Sequence, residues 1–219
     1  MHPRLTTLLL VASLTAALAA SSACARREAS VGFLFSADAC VVRAGAFQPF
    51  GDLLSVQERQ RIEQLAQREL VIAFAPLRVA ITANPSAFWR IAVVRSLPTR
   101  ASQALPRSGE SIALGPLGGG GTVACDVIIR KAMQFAPDGT TRPQLVDAIG
   151  RGVGRTAVHE LVHQILGASG THNDTDADSY EHGSSDRASQ FYGELHWTTA
   201  LPLLRTKLGA RPPATSSSR

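Results

Sequence analysis

Five of the six histidines lie between residues 159 and 196, and three of them fall within one stretch, "TAVHELVHQILGASGTHNDTD", residues 156–176. His159 and His163 are four apart, so on a helix both imidazoles share a face and can reach a single cation. Glu160 stands next to the first of them, placed to take a proton from a water beside that cation. Imidazole nitrogen suits Zn²⁺, and a catalytic zinc keeps three protein ligands and one open position. A third ligand is therefore required. His172 is the expected one, brought back under the helix by a turn at Gly167 to Gly170. Asp174 and Asp176 in the same loop are alternatives, as are Glu181 and, from the last helix, Glu194.

The loop around these residues carries further polar chemistry. Asp174, Asp176 and Asp178 alternate like the opening of a calcium loop, which allows a Ca²⁺ ion within 174–178. An EF-hand is excluded, because Ser179 stands where its glycine belongs and Ser185 where its glutamate belongs. The plainer alternative is that these aspartates cap turns. Tyr180 and His182 are candidates to stabilise a developing oxyanion, with surface packing as the alternative. Phe191, Tyr192, Leu195 and Trp197 are read as core residues of the last helix.

"HELVHQILGASGTH" resembles the HExxHxxGxxH motif of the metzincin metallopeptidases, including their archaemetzincin-like branch. The resemblance covers about twenty residues. It implies a zincin-like fold, a zinc ion on His159, His163 and His172, and Glu160 as general base. Two features depart from the pattern. The glycine comes one place late and the third histidine three places late, and no methionine follows Met133 to form the family's Met-turn. A gluzincin-type peptidase, with a downstream glutamate as third ligand, is the alternative.

The elements that must position this site can be read from periodicity. "SVGFLFSADACVV" is an expected strand. Ser55 and Glu58 form a capping box for a helix whose apolar stripe is Ile62, Leu65, Ala66, Leu70 and Phe74, stopped by Pro76. "LRVAITA" and "FWRIAVVRS" are expected strands, and "SIALGPLGGGGTVACDVIIR" two more joined by a glycine-rich connection. The glycines lack the Lys-Ser/Thr ending of a phosphate loop and the helix start of a dinucleotide site, so a flexible hairpin is expected. A long helix begins near Pro143, with Leu145, Val146, Ile149, Val153, Val158, Leu161, Val162 and Ile165 at helical spacing. Gly150, Gly152 and Gly154 within it mark a bend or a close backbone approach. Ser184 or Ser185 would cap a last helix, kinked or divided at Pro202. The expected architecture is a single α+β domain over 26–208: a small mixed sheet, a long site-bearing helix and a C-terminal helix. Residues 209–219 read as a disordered tail.

Bulk properties narrow the function. With 219 residues, 45% hydrophobic and 18% charged, the chain has the composition of one globular domain. Its net charge of +5 comes from arginine, with Lys131 and Lys207 the only lysines, and no basic run or aromatic-basic pattern points to nucleic acid. Arg4 and "LTTLLLVASLTAALAA" read as a secretory signal over residues 1–25. Cleavage before Arg26, or lipidation at Cys24 in an imperfect lipobox, are the two ways of ending it, and only the second tethers the protein to a membrane. Cys40 and Cys125 then remain as an expected disulfide of an exported protein, secreted or periplasmic. Together these readings predict a secreted zinc metallopeptidase, an endopeptidase acting on peptide or protein substrates. An exported zinc-binding protein without turnover is the alternative.

Overall fold

The structure, a computed structural model, describes residues 28–42, 47–48, 50–51, 53–98, 107–167 and 172–212. The expected signal, Cys24 and the last seven residues lie outside these. Among the described residues no helix is long and apolar enough to cross a membrane.

Five strands form one mixed sheet: β1 (Ala29–Phe35), β2 (Val79–Thr82), β3 (Trp89–Val94), β4 (Gly109–Ala113) and β5 (Gly119–Ala124). Their spatial order is β2-β1-β3-β5-β4, with the first four parallel and β4 antiparallel to β5 at the edge. Five helices accompany them: α1 (Val56–Phe74), α2 (Cys125–Gln134), α3 (Arg142–Leu166), α4 (Ser189–Tyr192) and α5 (Ala200–Leu208). The α+β expectation of a single domain with a small mixed sheet and one long helix is met by this mixture of helices and strands.

α1 forms as its sequence prescribes. Ser55 Oγ accepts from the Glu58 backbone N–H at 3.1 Å, and Glu58 accepts from the Ser55 N–H at 2.8 Å. Ile62, Ala66, Leu70 and Phe74 are buried, and Pro76 follows the last turn. α3 has the same device, Thr141 with Gln144, and runs unbroken for 25 residues. It is the central element, touching α1, α2, α4, α5 and strands β3, β4 and β5. Its glycines mark close approach rather than a bend. A Cβ on Gly154 would lie 2.6 Å from the Ala66 carbonyl oxygen, so α1 and α3 meet almost backbone to backbone. Arg142 ties the start of α3 to α1 through Glu58, at 2.6 and 3.0 Å.

Three expectations need correction. "CDVIIR" is helix, not strand: β5 passes directly into α2, whose Val127, Ile128 and Ile129 are buried. The β-branched run looked like a strand, and tertiary burial overrode it. The glycine run is not the hairpin connection either. The turn is the short 3₁₀ segment Gly115–Leu117, and Gly119 to Gly121 lie inside β5. Gly119 and Gly121 have no room for a side chain because Gln164 of α3 lies over them. Cβ atoms on Gly119 and Gly121 would come within 2.7 and 2.8 Å of its side chain, which bonds both N–H and C=O of Arg90. Finally, the last helix is two helices divided at Gly193 to Thr199, upstream of Pro202. Pro202 sits in the first turn of α5, where its missing N–H has no partner to lose.

The expected bridge is present. Cys40 and Cys125 are disulfide-bonded with Cα atoms 5.1 Å apart, tying the segment after β1 to the start of α2. Beyond α5, Ala210 bridges to Leu77 and the Arg211 N–H donates to the Pro76 carbonyl, so the start of the expected tail lies along the segment leading into β2.

Candidate metal centre

The C-terminal half of α3 is buried on nearly every side, yet it carries the site. Val158, Leu161, Val162 and Ile165 anchor it in the core, leaving His159, Glu160 and His163 on the remaining face. Gly167, with φ of 96°, ends the helix, and the chain comes back at His172.

Three imidazoles converge there. Nε2 of His163 lies 3.0 Å from Nε2 of His159 and 3.0 Å from Nε2 of His172. Among the described residues these are the one group of three or more histidine, cysteine or carboxylate side chains gathered closely enough to hold a metal ion. The protons on the rings decide what this convergence can do. His159 Nδ1 lies 3.1 Å from the Tyr180 carbonyl, which can only accept, so Nδ1 carries the hydrogen and Nε2 presents a lone pair. A backbone hydrogen bond at Gly167 holds His163 in the same manner. Protonation does not relieve the crowding, because burial and the neighbouring His163 hold the His159 pKa down at about 4, and burial likewise lowers that of His163. Ring nitrogens brought to one place, with the outer N–H groups of His159 and His163 fixed by the backbone, are the donor set a cation needs.

Glu160 is also buried, at 8% exposure. Burial pushes its carboxyl up to about 7, against a hydrogen bond from Ser111 and the nearby charge of Arg107, while Glu110 raises it further. Gly109 admits it: a Cβ there would sit 2.6 Å from Glu160 Oε1, so β4 passes directly over the carboxylate. His159 and Glu160 line a common cavity of about 280 Å³, together with Tyr180 and His182.

The other expected site residues take different posts. Glu181 is buried at 1% exposure, and its carboxylate accepts from the backbone N–H groups of Thr198, Thr199 and Ala200 and from the hydroxyls of Thr198 and Thr199. It anchors the start of α5 and has no lone pair left for a metal. Glu194 is exposed between α4 and α5 and stands apart from the triad. Asp174 accepts from the Gly183 N–H, while Asp176 accepts from the Asp178 N–H and pairs with His196 at 2.9 Å. The aspartates therefore fasten the loop and do not gather into a calcium site. Tyr180 reaches the centre through its backbone carbonyl. Its ring is buried against Trp197, with centroids 4.9 Å apart. His182 lines the cavity and bonds the Ser184 backbone. Ser185, expected as a helix cap, bonds Lys131 and Ser108 instead.

Sequence reading missed the far wall of the cavity, formed by Lys131, Ser108, Ser185 and Arg187. They are scattered over three segments, and the one available signal was that Lys131 is one of two lysines in an arginine-rich chain. Comparison with protein-family models and with curated proteins finds no match for the chain.

Proposed function

We propose that the protein is an exported zinc-dependent metallopeptidase, an outlying relative of the metzincins. The observation that carries this is the meeting of His159, His163 and His172 through their Nε2 atoms beside a buried glutamate and an open cavity. Ligand chemistry selects the ion. Three imidazoles and no cysteine or carboxylate suit Zn²⁺ better than Ca²⁺ or Mg²⁺. Tetrahedral Zn–N bonds of about 2.0–2.1 Å separate ligand nitrogens by about 3.3–3.4 Å, close to the 3.0 Å from His163 to each of the other two, and all three ligand atoms lie within 4.8 Å of one another. Zinc on these nitrogens would supply a Lewis acid for the scissile carbonyl and make water a better nucleophile near neutral pH.

The remaining chemistry belongs to the protein. Glu160 takes the proton of the attacking water as the new C–O bond forms. It returns that proton to the amine nitrogen as the C–N bond breaks. Its burial, which moves the carboxyl toward neutrality, suits both halves of this exchange. The Tyr180 carbonyl keeps His159 in the required tautomer. β4 is the last strand of the sheet among the described residues and passes over Glu160, a place where strand addition would lay an extended peptide across the cleft. The Cys40–Cys125 disulfide is compatible with an extracellular location.

The test is a digest of a mixed peptide library by the purified protein, followed by mass spectrometry. Cleavage should stop with a chelator and return with zinc. Glu160→Gln should keep one zinc per chain and lose turnover. Stoichiometric zinc with no cleavage of any peptide would leave the metal-binding alternative in its place.

A further inference from the structure

The cavity beside His159 and Glu160 has a second wall that the chemistry above does not use. Lys131, on α2, extends into it with its side chain 16% exposed. Its Nζ lies 2.6 Å from Ser185 Oγ and 3.1 Å from Asp186 Oδ1, and Ser185 Oγ is 2.9 Å from Ser108 Oγ. Arg187 also lines the cavity. Its guanidinium bonds the carbonyls of Ala177 and Ser179 and the side chain of Gln190, makes no ion pair among the described residues, and leaves Nε buried without a partner. Arg107 is a third cation lining the cavity.

Three cations thus line a space whose acidic side chains are Glu160 and Asp186, the latter 55% exposed and already on Lys131. An arginine and a lysine withdrawn from water gain more from a carboxylate than from carbonyls and hydroxyls, because charge-assisted bonds are about twice as strong as neutral ones. Asp186 occupies one position on Lys131 from the solvent side, and an incoming carboxylate can share or replace it. The volume of about 280 Å³ falls below the roughly 300–1,000 Å³ typical of sites for whole small molecules, and so suits one side chain or chain end.

We infer that this cavity is a carboxylate-selecting subsite, with Lys131 its central residue, and that the protein favours peptides carrying a carboxylate next to the cleaved bond. The inference rests on the peptidase reading for its location and adds the substrate class. The carboxylate can come from an Asp or Glu side chain or from the free C-terminus of the substrate. Both present the same group to the Lys131–Ser185 pair.

Paired peptides test this and separate the sources. One set differs only by Glu, Gln or Lys at the residues flanking the bond, the other only by a free or amidated C-terminus. Each is measured as kcat/KM with the zinc-loaded protein and as Kd with zinc-loaded Glu160→Gln, so binding is read whether or not turnover occurs. The expected result is a preference of about 10- to 100-fold for the carboxylate member of one set. In Lys131→Met that ratio should fall to near one. In Lys131→Glu it should invert, so that Lys replaces Glu as the preferred flanking residue. Melting temperature is followed for both variants, and the charge-inverted preference is a result that misfolding cannot imitate. Equal rates and equal affinities across both sets, or a preference unmoved in both variants, overturn the inference while leaving peptide hydrolysis standing. Absent cleavage with a Lys131-dependent preference in Kd removes the peptidase reading and keeps the carboxylate site.

Discussion

Two buried glutamates, Glu160 on α3 and Glu181 in the loop behind it, have met opposite fates. Both belong to the same polypeptide stretch, and both are almost without solvent, at 8% and 1% exposure. Glu160 lies within α3, whose backbone N–H groups there are taken up by the helix, and has little beyond Ser111 and Arg107 to stabilise its charge, so burial dominates and drives its carboxyl up to about 7. Glu181 feels burial too, but five donors from Thr198 to Ala200 outweigh it, and its carboxyl ends below the ordinary value. Burial alone therefore makes neither a reactive acid nor a structural one; the number of hydrogen-bond donors decides.

The sharpest way to break this pairing is to make the same substitution twice. Glu160→Gln should cost about 10²–10⁴-fold in kcat while leaving the zinc-loaded protein no less stable. Glu181→Gln should do the reverse, lowering the thermal midpoint with kcat per folded molecule retained. Glu181→Ala goes further, orphaning the N–H groups at the start of α5. Urea titration should show a loss of about 2–5 kcal/mol, with no change in zinc stoichiometry. If Glu181→Ala instead loses metal with its fold intact, the glutamate is a ligand after all and the assignment of His172 is wrong.

A smaller effect separates the two ends of α3. Gly154→Ala places a methyl 2.6 Å from the Ala66 carbonyl, in the contact with α1 and away from the cavity. It should destabilise by about 1–3 kcal/mol without altering the Glu-to-Gln preference of the subsite.

Those contacts also explain what the sequence could reveal. The Ser55–Glu58 capping box, the apolar stripes of α1 and α3, the first three strands and the HExxH pair depend on residues near one another in the chain, and these were legible. The histidine loop was legible in part, since His172 was the nearest remaining imidazole. Whatever depended on distant partners was not. Gln164 looked like an ordinary helix residue until β3 and the glycines of β5 were placed beneath it. Glu181 read as a possible ligand because its donors come from 17 to 19 residues away. Lys131 and Ser185, 54 residues apart, gave no shared pattern at all. "CDVIIR" was misread for the same reason: Val127, Ile128 and Ile129 are buried as a helix by the elements packed around α2, which a local β-branched pattern does not register.

The gentlest perturbation is acid, and it tests the sign of the comparison. Glu58 is held down at about 2, first by its hydrogen bond from Arg142, and Glu181 is lowered by its donors against the cost of burial. A carboxyl whose folded pKa lies below its unfolded one stabilises the protein above the unfolded value, about 4.5, and loses that contribution as pH falls toward the folded value. Stability of the metal-free protein should thus decline from pH 5 toward pH 2. Glu160 has the opposite sign: raised to about 7 in the fold, it opposes stability as pH climbs above 4.5 and adds nothing to the acid limb. Unfolding free energies followed across pH 2–8 should then show Glu181→Gln flattening the acid limb and Glu160→Gln leaving it untouched while lifting the neutral one. Were Glu160→Gln to flatten the acid limb instead, its carboxyl would be a stabilised anion like Glu181, and the contrast between the two would be lost.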